Sequence, residues 1–229
     1  MHFLLLGASG RTGQHVVTEL LSQGHTAVAL VRASSSLKAR SGLTLVTGSP
    51  LSKSDISKAI SATPSSKPTA GIFTLNAPRK SESPFSPPLA PPRFLADSCV
   101  NACRALEEEG IRRIVVMSTA GAGDSWSNLP LLSKAFMGWT NVKLALEDHN
   151  ILDREIRTTS MDWTLIRAVR LEYDDGEGAK KTENVKEVEV LEGDGKGMSM
   201  SDSVGTRQVA KFLVKVAIIP LRRNLRVQF

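Results

Sequence analysis

Phe3-Leu4-Leu5-Leu6-Gly7-Ala8-Ser9-Gly10-Arg11-Thr12-Gly13 is the stretch that decides the fold of this chain. A short apolar run enters three glycines spaced G-x-x-G-x-x-G. From Gln14 to Gln23 the apolar residues Val16, Val17, Leu20 and Leu21 recur at the spacing of one helical face. A second apolar run, Ala27 to Val31, comes next. Strand, glycine turn, helix and strand make the first unit of a dinucleotide-binding fold. Each glycine has a task in that unit. Gly7 permits the tight turn, Gly10 lets backbone approach a pyrophosphate, and Gly13 lets the helix lie close on the sheet. The phosphates would sit on free N–H groups at the helix N-terminus, beside Ser9, Arg11 and Thr12.

The second strand discriminates between nucleotides. An acidic residue about 20 positions past the glycines holds the 2′-hydroxyl of NAD. Here the strand ends Leu30-Val31-Arg32-Ala33-Ser34-Ser35-Ser36, without a carboxylate. A guanidinium matches a phosphate and suits a neutral diol poorly. Arg32, with Arg11 in the turn, therefore predicts NADP(H). The ordinary alternative for Arg32 is a solvated residue after a strand.

Composition narrows the remaining classes. The 229 residues fit one α/β unit, expected as a single NAD(P)-binding Rossmann domain over 1–229. A net charge of +6 would suit nucleic acid, but the cations are scattered and no aromatic ladder accompanies them. An anionic cofactor and a small-molecule substrate account for the excess equally well. Cys99 and Cys103, four apart on an expected helix, read as packed thiols with no metal-ligand cluster around them. No apolar run approaches the ~20 residues that cross a bilayer, and the first strand leaves no room for a cleavable leader. A cytoplasmic protein without membrane or nucleic-acid partners, monomeric or homodimeric, is the expectation.

Further apolar runs at Leu43–Val46, Gly71–Leu75, Ile114–Met117 and Trp163–Ile166 read as parallel strands covered on both faces. Helices are expected near Ser54–Ser61, Ala90–Glu109, Asn141–Thr158 and Gly205–Val216, and a last short strand through Leu225, Val227 and Phe229. The fold class is a doubly wound, Rossmann-type α/β sheet. Two stretches break the rhythm. Residues 78–92 hold six of the eleven prolines, as a linker or a substrate lid. Residues 172–200 are polar and charged, with a possible strand at Glu187–Leu191, and form a small substrate-side extension. The triplet Glu107-Glu108-Glu109 opposes the dipole at the end of its helix, and nothing local in the sequence explains it.

With Gly7–Gly13, Arg32, Ser118-Thr119-Ala120-Gly121, Asp148-His149 and Met161-Asp162-Trp163-Thr164-Leu165-Ile166-Arg167 quoted, the chain resembles the atypical short-chain dehydrogenases/reductases. More narrowly it is similar to the NAD(P)-binding NmrA-like group that includes biliverdin reductase B, a flavin reductase. The resemblance spans nearly the whole chain. It implies that Gly10–Gly13 and Arg32 hold NADPH, and that Leu75-Asn76-Ala77-Pro78 and Met117-Ser118-Thr119-Ala120 line the nicotinamide pocket. Arg167 is carried over as a cofactor residue on the same ground. It also implies that Ser118 bonds a substrate carbonyl or the nicotinamide amide, and that His149 faces the nicotinamide ribose. The chain departs from the group at Ser49, where an aspartate is usual, and at Ala168, where proline is usual.

The Tyr-x-x-x-Lys pair of conventional short-chain dehydrogenases is absent. The single tyrosine, Tyr173, is followed four residues later by Glu177, and is expected beyond the sixth strand, away from the chemistry. Trp139-x-x-x-Lys143 has the spacing, but an indole cannot shuttle a proton at neutral pH. Ser118 and His149 remain as catalytic candidates. Such weak acid–base equipment suits acceptors that need mainly positioning: flavins, linear tetrapyrroles, quinones, iminium ions or conjugated double bonds. An NADPH-dependent reductase is the expected function. The alternatives are a regulatory sensor of NADP(H) and a non-redox isomerase or cyclase that retains the cofactor.

Overall fold

His2–Leu6 (β1) is buried at all five positions because it lies near the middle of a seven-stranded sheet, with a strand and a helical layer on each side. The computed structural model describes residues 1–33, 35, 37–81, 83–173, 190–191, 193–199 and 201–219, and the backbone of 225–228. Arg11–Ser22 (α1) leads to Thr26–Val31 (β2) and Leu43–Thr47 (β3). Lys53–Ser61 (α2) then crosses to Ala70–Phe73 (β4). Phe94–Glu108 (α3), Arg113–Thr119 (β5), Leu131–Trp139 (α4), Val142–Ile156 (α5) and Asp162–Ala168 (β6) follow. Arg170–Glu172 (β7) and Ser203–Gly205 (β8) pair in parallel outside the main sheet. Thr206–Ile218 (α6) and Leu225–Gln228 (β9) complete the chain.

The order is β3-β2-β1-β4-β5-β6-β9, and every pairing is parallel. The winding reverses between β1 and β4, where Leu6 stands beside Phe73. A crevice opens at that point beyond the strand ends, the place where open α/β sheets take ligands. Alternate strand residues feed two cores. Phe3 and Leu5 pack towards α1 and α6, and Leu4 and Leu6 towards α2, α3 and α5. The doubly wound α/β expectation is what the chain adopts.

The expected helix Ala90–Glu109 starts only at Phe94. Pro91 and Pro92 precede Arg93, whose φ of 63° lies in the left-handed region. Two elements were not anticipated: α4, none of whose residues is buried, and the β7–β8 pair. The strand expected at Glu187–Leu191 falls mostly outside the described residues. Tertiary partners resolve the acidic triplet. Glu108 pairs with Lys53, Glu109 with Lys67 at 2.8 Å, and Glu107 accepts from the backbone and side chain of Ser160.

Candidate active site

The three glycines separate into structural and spatial roles. Gly7 turns at φ 92°, and a Cβ there would lie 2.6 Å from the Thr74 carbonyl at the end of β4. A Cβ on Gly13 would lie 2.1 Å from the Gly7 oxygen, so α1 could not pack so closely on the turn. Gly10 is different. Its φ is an ordinary −72°, it is exposed, and an added Cβ would meet only the Gly7 oxygen at 3.3 Å. The fold tolerates a side chain at Gly10 with a small adjustment. What a side chain would take away is open space over the helix N-terminus.

That N-terminus is prepared for an anion. No side chain caps α1 and no acidic residue stands in its first turn, whereas α2 and α3 carry Asp55 and Asp97 there. A cleft of ≈ 710 Å³ runs from it across the ends of β2 and β3. Gly7, Ser9, Gly10, Arg11, Thr12 and Arg32 line it, with Asn76 at its inner end. Gly13 and Ala77 do not line this cleft: Gly13 lies behind the turn and Ala77 lines the neighbouring pocket. The dipole, the two guanidinium groups and the unobstructed path over Gly10 fit a dinucleotide.

A second pocket of ≈ 340 Å³ adjoins the first. Leu75, Asn76 and Met117 line both, so the two are continuous at the ends of β4 and β5. The second pocket is walled by apolar residues of α4, α5 and the proline-rich segment, among them Pro88, Met137, Val142 and Leu144. Ser118, Thr119 and His149 supply polar groups at its floor, and Arg79, Arg93, Asn141 and Glu147 also line it. Ser118 Oγ lies 3.3 Å from His149 Nδ1, so β5 and α5 bring together two residues 31 apart in the chain. Burial drives the His149 pKa down to about 4, and the ring is neutral at physiological pH.

The neighbouring Asp148 also borders the pocket, but its carboxylate is engaged by α3. Its carboxylate accepts the backbone N–H groups of Leu95 at 2.7 Å and Ala96 at 3.0 Å, capping α3 from another helix. Asp148 is a support and His149 faces the pocket.

Two expectations need correction. Arg167 lines neither pocket. Its side chain is fully buried, paired with Asp153 at 3.0 Å and Asp124 at 2.6 Å, and it donates to the Gly193 carbonyl at 2.7 Å. Buried cations require such partners, and both terminal nitrogens of Arg167 are turned to them rather than to a cofactor, with Nε left buried and unpartnered. Tyr173 is the reverse case. It lines the nucleotide cleft, with its ring 3.4 Å from the Arg11 guanidinium carbon. Its distance in sequence from the glycine turn concealed this; β7, which leads directly to it, returns the chain across the cleft.

A glycine turn at the switch point, open to a cleft with a second pocket at its inner end, defines a Rossmann-type dinucleotide-binding fold. The chain belongs to the family described as NAD(P)H-binding, whose model matches residues 7–220. The UPF0659 protein YMR090W of Saccharomyces cerevisiae is 26% identical over 230 residues, covering 96% of this chain and 88% of the yeast protein. Among solved structures, ChuY from Escherichia coli O157:H7, an anaerobilin reductase, superposes with a TM-score of 0.73 at 18% identity, covering 100% of this chain and 96% of ChuY. A wide-type short-chain dehydrogenase/reductase from Veillonella parvula in complex with NADP gives 0.71 at 16% identity, with coverages of 99% and 93%. At such identities the superpositions establish a shared fold.

Proposed function

We propose that the protein is an NADPH-dependent reductase that delivers hydride to a small conjugated, carbonyl or imine acceptor. The observation that carries this reading is the continuity of the two pockets, with the Ser118–His149 pair on the floor of the second. The likeness to ChuY and to the NADP-bound Veillonella parvula protein supports it at the level of fold. Arg11 and Arg32 line the cleft, which supports NADP(H) over NAD(H).

The bound nicotinamide would supply the hydride. The chain's own residues place, shield and protonate. Apolar walls exclude water from the acceptor, which strengthens every polar contact inside. Ser118 Oγ can donate to an acceptor oxygen while it accepts from His149 Nδ1–H. A neutral imidazole supplies no net proton. It passes one, taking it at Nε2 and giving it at Nδ1, with solvent as the source.

The test is loss of NADPH absorbance with a panel of flavins, quinones and enones. Turnover is expected, slowed in Ser118→Ala by about 10²-fold if the hydroxyl serves as a proton donor. Tight NADPH binding with no turnover across the panel would overturn the reading in favour of a sensor or a non-redox enzyme.

A further inference from the structure

Helix α4 has the sequence Leu-Leu-Ser-Lys-Ala-Phe-Met-Gly-Trp and no buried residue. Leu131 is 82% exposed and Trp139 85%, with Leu132 and Phe136 also open to solvent. Phe85, 67% exposed, is tied to the same surface, since Asn141 after α4 binds the carbonyls of Pro84 and Phe85. Leu144 on α5 continues it. These six side chains leave on the order of 800 Å² of apolar surface in water, taking aromatic side chains at 150–250 Å² each. The largest patch on a monomer is typically 300–600 Å², and a stable interface needs about 800 Å² per partner.

We infer that this collar is a two-fold interface between copies of this chain. Area points to it, and charge argues against a lipid surface. Around the collar the cation Lys134 is spent on the Ser127 carbonyl, and Lys143 stands one helical turn from Glu147. A membrane-binding helix needs a row of cations, and α4 carries one, Lys134. A mixed pair such as Lys143 and Glu147 suits an isologous contact, where each partner offers the other the same two charges. The collar is also the outer wall of the second pocket, through Met137 and Leu144. A second copy seated on it would roof that pocket. This last consequence rests on the reductase reading; the dimer does not.

The experiment is sedimentation velocity on the full chain with and without NADPH, together with the Leu131→Glu/Trp139→Glu variant. The wild type is expected to run as a dimer and the variant as a monomer with an unchanged far-UV circular dichroism spectrum, because neither side chain is buried in the protomer; its melting temperature should fall only by what the dimer contact contributed. Leu132→Lys provides a second variant should the first fail to fold. In the monomeric variant, NADPH affinity should hold within about 2-fold and acceptor turnover should fall by about tenfold or more. A wild type still monomeric at about 100 µM overturns the inference, since at that concentration an interface of this area should be filled. So does a variant that remains dimeric, or a monomeric wild type that pellets with phosphatidylserine vesicles. A dimer whose disruption leaves turnover unchanged overturns the roof.

Discussion

Arg32 stands exposed at the end of β2 and lines the nucleotide cleft, with no carboxylate beside it in sequence to hold a ribose diol. Arg32→Asp should weaken NADPH binding far more than NADH binding, by about one to two decades, the worth of one charge-assisted phosphate contact. Equal titration of both cofactors by the wild type would remove Arg32 from the 2′-phosphate. Tyr173 acts through Arg11. Its ring braces the guanidinium at 3.4 Å, and cation–π contact at an accessible site contributes about 0.5–1 kcal/mol. Tyr173→Phe keeps the ring and should leave NADPH affinity unchanged, whereas Tyr173→Leu should weaken it by a few-fold. Equal losses in both would assign the role to the hydroxyl. Arg32 was legible because strand and charge are adjacent in sequence. Tyr173 was not, because no local pattern tells where a chain goes after a strand.

At the scale of elements, α3 shows how a helix start is decided by a residue far away. Pro91, Pro92 and the left-handed Arg93 set where the helix begins, and the N-cap side chain makes no capping bond. Asp148, 53 residues on, supplies the acceptor instead. Asp148→Ala leaves the N–H groups of Leu95 and Ala96 buried without partners and should cost about 1–3 kcal/mol in urea unfolding. A loss below about 0.5 kcal/mol would show that water replaces the carboxylate. The strands and the amphipathic helices α1, α3, α5 and α6 were readable because one buried face imposes a period on the sequence. Helix α4 is short and fully buries none of its residues; only Met137 packs, half-buried, on the small cluster of Ala120, Leu129 and Met198, and with so little of it covered the helix escaped notice.

For the molecule as a whole, the buried His149 couples folding to pH. Its pKa is about 4 in the folded chain against 6.5 when free, so the unfolded chain binds the proton more readily between those values. Stability is therefore full above pH 6.5 and is lost as the pH falls towards 4, by about 3 kcal/mol from this residue. His2 and His25, also lowered by burial, act in the same direction. Urea midpoints measured from about pH 7.5 to about pH 4.5 should fall, and His149→Gln should flatten that fall. A wild-type profile no steeper than that of the variant would show that the ring is charged or solvated in the folded chain.

From the sequence alone followed the layered α/β winding, the glycine turn, the missing carboxylate after β2 and the absence of Tyr-x-x-x-Lys. These are properties of neighbouring residues, where strand period, helical period and turn sterics act over a few positions. Only the tertiary structure decided that Ser118 meets His149, that Arg167 is consumed by Asp124 and Asp153, and that Tyr173 returns to Arg11. The first two join β5, β6 and α5, which the sheet order brings together, and the third is made directly after a strand outside the main sheet. Buried charge must find a partner and exposed charge need not, and that difference is set by packing rather than by the residue's place in the chain.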